Sequence, residues 1–423
     1  MAVVIDYIYI KVLKYINYYK GVRSYMDLKI FTKNIEKEAK EQIYKLLSLE
    51  PFKNSKVRIM PDVHAGKGCV IGFTADLGDK VIPNVVGVDI GCGMLTVELG
   101  KIDIDFEKLD TTIHEKIPAG MNVHENPDEE SYSSFINELF CVSSLKNLSH
   151  IYASVGTLGG GNHFIEIDQD KEGNKYLIIH SGSRNLGKQV AEIYQQLAID
   201  TLAGKDNYKD KVKEKINKYK SEGRQCEIQA MIEKFREFFK KQQPSIPKEL
   251  CYLEGENREK YLHDMKICQD FAELNRNKIA MTICQEMGFS IKGMFQTVHN
   301  YISFEDNIVR KGAISAYRGQ KVLIPINMRD GCIIATGKGN EDWNQSAPHG
   351  AGRIMSRTAA KQKIKLEDYK KSMEGIYSTT INETTIDESP FAYKSIQEII
   401  ASTKDTINIE KIIKPIYNFK AGE

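Results

Sequence analysis

One-sided charge is the first thing this 423-residue chain lacks: 59 Lys and Arg stand against 57 Asp and Glu, a net +2. No global field advertises a nucleic acid or an acidic surface, so any such binding must come from a local patch. Long apolar runs are missing too, and none reaches the length of a membrane span. The N-terminal AVVIDYIYIKVLKYINYYKG is broken by Asp6, Lys11, Lys14 and Lys20 and lacks the order of a signal peptide. The eight cysteines contain no CxxC pair and no dense framework. That argues against a disulfide scaffold and for a reduced, cytoplasmic compartment. Internal repeats and Pro- or Ser-rich linkers are absent as well. What is present, 41% hydrophobic and 27% charged residues, suffices for a substantial core.

Residues 1–25 read as an N-terminal extension, either disordered or an upstream start, because Met26 opens a more conventional beginning, MDLKIF. Residues 26–423 read as one large α+β domain with mixed β-sheets surrounded by helices. After LKIF an amphipathic helix is expected, with Asn34 as N-cap, Glu36 and Glu38 near its positive end, and Ile35, Ala39, Ile43, Leu46 and Leu47 on one face. Between 56 and 99 the runs VRIM, CVIGFTA, KVIPNVVGVDI and MLTVEL alternate with glycine turns and predict strands. Residues 103–150 look mixed and mostly helical, and 156–184 predict strand–turn–strand. The lysine-rich segment 188–243 predicts helices, read as a solvated face or an insertion rather than a nucleic-acid arm. A helix over 258–288 turns Tyr261, Met265, Cys268, Ala272, Asn275, Ile279 and Ile283 to the core. Strands return over 294–340, and a helical part is expected to close the chain.

Chemistry concentrates at glycine-punctuated ends. GVDIGC places Asp89 and Cys92 at the end of an apolar run. An ionised Asp89 there needs a cation or several donors; the pair reads equally as a turn cap and a small buried hydrophobe. GTLGGGNHFIEI and YLIIHSGSR bring His163 and His180 beside glycine-rich turns, and QTVHNY adds His299. A thiolate with imidazoles suits zinc, and an added carboxylate tolerates harder ions such as manganese. Chemistry alone therefore says divalent metal without saying which. SAPHGAGRIMSR sets His349 between proline and glycine, followed by Arg353 and Arg357 at the start of a helical run. A neutral imidazole is a competent nucleophile towards phosphorus, and arginines suit phosphates. The same residues read alternatively as a helix-entry turn with surface ion pairs. MPDVHAGKG offers Asp62, His64 and Lys67 as positioning groups or as ordinary turn residues.

Taken in order, MPDVHAGKG, PNVVGVDIGCGM, GTLGGGNHFIE, HSGSRNLG, VHNY, RKGA and HGAGR…SR resemble the RtcB-type RNA ligases, from about Met26 to KPIYNFKAGE. The resemblance implies an enzyme that uses GTP to join RNA 3′-phosphate or 2′,3′-cyclic phosphate ends to 5′-hydroxyl ends, in tRNA splicing or RNA repair. It implies two Mn²⁺ ions sharing Cys92, one with Asp89 and His163, the other with His180 and His299. His349 would carry GMP as the nucleophile, and Asp62 would lie near the reacting ends. Asn162, Glu166, Asn300, Lys311, Arg353, Tyr393 and Lys420 match positions that hold the guanylate or its phosphates. One departure stands out: PINMRDG (325–331) replaces the family's usual Pro-Gly-Ser-Met-Gly turn and puts Asn327 near a serine that helps bind nucleotide. The implied partners are RNA ends and an archease-like activator, with no membrane. The alternative is a metal-dependent RNA-end phosphodiesterase or phosphatase without sealing, which would leave His349 without a task.

Overall fold

The computed structural model describes residues 27–127, 129–205 and 208–421; the extension expected at 1–25 lies outside the described residues. The strands follow the apolar runs. β1 (Asp27–Ile30), β2 (Lys56–His64), β3 (Ile71–Asp76), β4 (Lys80–Val81) and β5 (Gly93–Gly100) come first. β6 (Phe164–Gln169) and β7 (Lys175–Ser181) form the expected strand–turn–strand block, and β8 (Leu253–Glu254) precedes the long helix Gly255–Met287. Then follow β9 (Gly293–Val298), β10 (Asn300–Ile302), β11 (Ile308–Lys311), β12 (Ala313–Ser315), β13 (Lys321–Asn327) and β14 (Gly331–Gly337). β15 (Ser346–Pro348) and β16 (Ile407–Lys420) complete the set.

Two sheets organise the molecule. A seven-stranded sheet runs β13-β14-β16-β6-β7-β5-β9, all its pairs antiparallel. A five-stranded sheet runs β1-β2-β3-β11-β10, with β1 parallel to β2. The fold is α+β, as expected. The helix Gly255–Met287 buries Tyr261, Met265, Cys268, Ala272, Asn275, Ile279 and Ile283, the face its periodicity predicted. It ends at Gly288 in the left-handed conformation (φ 68°), where a residue without Cβ is favoured. No helix among the described residues is long and apolar enough to cross a membrane.

Four local expectations are corrected. Helix Lys37–Leu47 starts after Glu36, not at Asn34. The Asn34 backbone N–H is held by Thr32 Oγ1 at 3.1 Å, and the Glu36 carboxylate accepts from Ala65 N at 2.6 Å, so a tertiary contact sets the start. The run KVIPNVVGVDI is no strand beyond Val81: Pro83–Val86 form a helical turn, and Asp89 sits in the turn before β5. Pro83 presets helical φ, and Gly87 (φ 101°) and Gly91 (φ 72°) reverse the chain. His163 stands just before β6 rather than at a strand's end. The C-terminal part opens with short helices but closes on the 14-residue β16, which sits between β14 and β6. Its lysines and the Pro415 bulge masked the strand alternation.

Candidate metal and nucleotide site

The candidate ligands converge because the central strands end at one place. β5 and β7 are paired, and β9 lies on the far side of β5. Cys92 immediately precedes β5, His180 is near the end of β7, His163 leads into β6, and His299 follows β9. Cys92 Sγ lies 3.5 Å from His163 Nε2 and 3.2 Å from His180 Nε2. His180 Nε2 is 3.4 Å from His299 Nε2, and Asp89 Oδ2 is 3.1 Å from His163 Nε2. Cys92 and the three histidines are buried, and the Asp89 carboxylate is partly open to the site.

Backbone carbonyls fix the ring states. His163 Nδ1 sits 2.8 Å from Leu158 O, and His180 Nδ1 3.0 Å from Asn162 O. A carbonyl only accepts, so each Nδ1 carries a proton and each Nε2 is turned towards the thiol. Burial drives His180 and His299 well below the ordinary histidine range, so both are neutral. Burial and the Asp89 carboxylate push the Cys92 thiol well above its ordinary range. Thiolate character here therefore requires a cation. Burial also opposes charge on Asp89, yet its bond to His163 outweighs that and holds its carboxyl below the usual range. Lone pairs of nitrogen, sulfur and oxygen converging in a buried space fit a divalent metal.

The long helix holds the ligand turns in place. Arg276 Nη1 donates to Gly91 O at 2.8 Å and Ser181 O at 3.0 Å. Asn275 Nδ2 donates to Gly182 O at 3.1 Å. A Cβ on Gly182 would overlap the Asp89 carboxylate, so the close approach of β7's end to the Asp89 turn requires glycine.

His349 follows β15, whose partner is β12. Its Nδ1 lies 2.6 Å from Asp62 Oδ2, and its backbone N–H donates to the same oxygen at 3.1 Å. Asp62 is fully buried in β2, and its Oδ1 has no partner among the described residues. The ring of His349 stands 5.0 Å from that of His299, centroid to centroid, which places it beside the metal ligands.

A cavity of about 200 Å³ opens from this point. Asn162, Glu166, His180, Asn327, His349, Arg353, Tyr393 and Lys420 all line it. Asn300 and Lys311 do not line it. Asn300 Oδ1 accepts from Gly312 N at 3.0 Å and its backbone carbonyl accepts from Gly91 N at 2.7 Å, which braces the Asp89 turn. Lys311 Nζ donates to Lys67 O and Asn84 O, each at 2.8 Å. Asn327 occupies the β13–β14 hairpin, where its Oδ1 accepts from the backbone of Arg329 and Asp330. A larger open hollow of about 630 Å³ among Arg318, Lys338, Glu341 and Asp405 contains none of these residues.

The family model described as tRNA-splicing ligase RtcB matches residues 42–140 and 136–421. The chain belongs to the RtcB family. The RNA-splicing ligase RtcB of Escherichia coli K12 is 31% identical, over 90% of this chain and 94% of that protein. The tRNA-splicing ligase RtcB of Archaeoglobus fulgidus is 28% identical, over 86% and 87%.

Within this RtcB-family cavity one group escaped the sequence reading. Glu388, nearly fully buried, accepts from Lys420 Nζ at 2.6 Å, Tyr393 OH at 2.6 Å, Arg353 Nη1 at 3.2 Å and Arg357 Nη1 at 2.8 Å. Burial pushes its pKa up, but Lys420 and Arg357 overcome that and bring it down to about 2. Its surroundings, DESPF, carry no motif; only the nearby tyrosine and three cations gathered from more distant segments reveal it. Glu166 is different: burial pushes it up to about 7, against an Asn418 Nδ2 donor at 2.7 Å and the charge of Lys420. Behind it, Asp168 and Cys332 complete a second buried group of possible ligands. Asp168 is raised well above its ordinary range by burial and by Glu166.

Proposed function

We propose that this protein is a GTP- and Mn²⁺-dependent RNA ligase that joins RNA 3′-phosphate or 2′,3′-cyclic phosphate ends to 5′-hydroxyl ends. The pairing of His349 with Asp62 carries this reading. Asp62 accepts a hydrogen bond from Nδ1–H, which leaves Nε2 to act as the attacking nitrogen beside the candidate metal ligands, at the mouth of a cavity lined with cations. Nε2 attacks the α-phosphorus of GTP, the bond to pyrophosphate breaks, and the guanylate rests on His349 as a phosphoramidate. The guanylate then passes to the RNA 3′-phosphate. Attack by the 5′-hydroxyl forms the phosphodiester and releases GMP. Divalent metal held by Asp89, Cys92, His163, His180 and His299 supplies charge neutralisation at the phosphates. Asp62 orients the imidazole and stabilises its positive form as it acquires the phosphoryl group. Glu166 accepts hydrogen bonds from the guanine edge, and Arg353, Tyr393 and Lys420 hold the nucleotide.

Incubation with α-labelled GTP and Mn²⁺ tests the reading. Acid-labile, alkali-stable label should appear on wild type and be absent from His349→Ala. Equal labelling of the two, or none on wild type, would overturn it.

A further inference from the structure

The helices Tyr208–Ser221 and Ile228–Lys241 form a hairpin that packs chiefly on itself and on the tip turn Gln225–Glu227. Charge is concentrated here. Between Lys205 and Lys241, twelve Lys and Arg face seven Asp and Glu, a net +5, which leaves −3 for the remainder of a chain whose total is +2. The near-neutral total thus conceals a basic module on a slightly acidic body. Lys211, Lys215 and Lys218 recur at helical spacing and are exposed, as are Lys213 and Lys220. Among the described residues, no carboxylate pairs with Lys211, Lys213, Lys215 or Lys220.

The lysines alone describe a solvated face; the second helix adds an aromatic platform. Phe235 and Phe238 lie nearly parallel, their rings 6.4 Å apart with 20° between planes. Lys215 Nζ sits 4.5 Å above the Phe235 ring and Lys211 Nζ 5.6 Å above that of Phe239. Phe239 is buried inside the hairpin, whereas Phe238 is 56% exposed. An exposed ring stacked beside a ring that carries a lysine, in a row of such cations, is the arrangement that holds single-stranded nucleic acid, phosphates on the cations and a base on the ring. It favours a polyanion with planar groups over an apolar protein surface, which would leave the lysine row desolvated without partners.

We infer that this hairpin is a docking surface for single-stranded RNA, with phosphates held by Lys211, Lys215 and Lys218 and a base stacked on Phe238. The inference rests on the ligase reading for why RNA is the occupant, and it deepens that reading by adding a contact surface built by the helical hairpin.

The test uses the full chain and a fluorescein-labelled oligouridylate with a 3′-phosphate, followed by anisotropy across a salt series. The triple variant Lys211→Gln/Lys215→Gln/Lys218→Gln should bind roughly fivefold or more weakly, with a salt slope lower by about 2. Phe238→Ala should weaken binding roughly fivefold or more without changing that slope. The triple variant should melt with wild type and take up GMP at the wild-type rate, since loading needs no RNA. Equal affinity and slope for wild type and both variants would overturn the proposal and leave the surface to a protein partner. A wild type that takes up no GMP would sink the ligase reading while the RNA titration still decides the hairpin.

Discussion

Asp62 sets the state of His349 through one oxygen that receives both the ring and the backbone N–H. Asp62→Asn keeps the shape and removes the charge that stabilises a positive imidazole. It should slow GMP loading by roughly a hundredfold while metal content, measured by mass spectrometry, stays at the wild-type level. Glu166 gives a pH signature. Its folded pKa of about 7 lies above the unfolded carboxyl value, so the folded state holds the proton more tightly. Glu166 therefore favours folding most at low pH, and stability is lost as pH rises from about 4.3 to about 7, by at most on the order of 3 kcal/mol. Glu166→Gln should melt higher than wild type at pH 8 and equally at pH 4. Guanine recognition by the carboxylate should run oppositely, with wild-type GMP loading falling as pH drops through 7.

The elements matter here for where they stop. β5, β7 and β9 lie side by side, and their ends, with the turn before β6, gather the thiol and three imidazoles, while Arg276 of the long helix ties the turns at Gly91 and Ser181. Gly182→Ala tests this packing. Its methyl group would take the place of the Asp89 carboxylate, so the ion that Asp89 would hold in the proposed two-metal arrangement should be lost. Metal analysis should then show about half the wild-type content with the far-UV spectrum unchanged; full content would contradict the shared-ligand arrangement. At this scale the sequence was legible where periodicity was strong. The long helix's buried face followed from three- and four-residue spacing. The start of Lys37–Leu47 did not, because Glu36 is engaged by Ala65 in a distant strand connection.

Across the whole molecule, the candidate metal ligands lie between residues 89 and 299, and His349 beyond them, so metal binding should couple to folding. A divalent ion at a hundredfold excess over its Kd contributes about 3 kcal/mol, which chelation removes. Wild type should therefore lose several degrees of melting temperature on treatment with EDTA. Cys92→Ala, without the thiolate proposed to be shared, should show no such shift and no bound metal. The sequence by itself determined the residue types of the centre, the α+β class and the buried face of the long helix. These depend on local spacing and on glycine and histidine chemistry that any reader of the chain can see. It carried the basic row of 188–243 but not the ring beside it. Only the tertiary structure decided that Asp62 holds His349, that Glu388 collects three cations, that Asn300 and Lys311 brace backbone outside the cavity, and that Phe238 lies exposed within the lysine hairpin. The first three are contacts between segments far apart in the chain and the last is an exposure set by how two helices pack; no local propensity encodes them, because burial and charge pairing are settled by which surfaces meet.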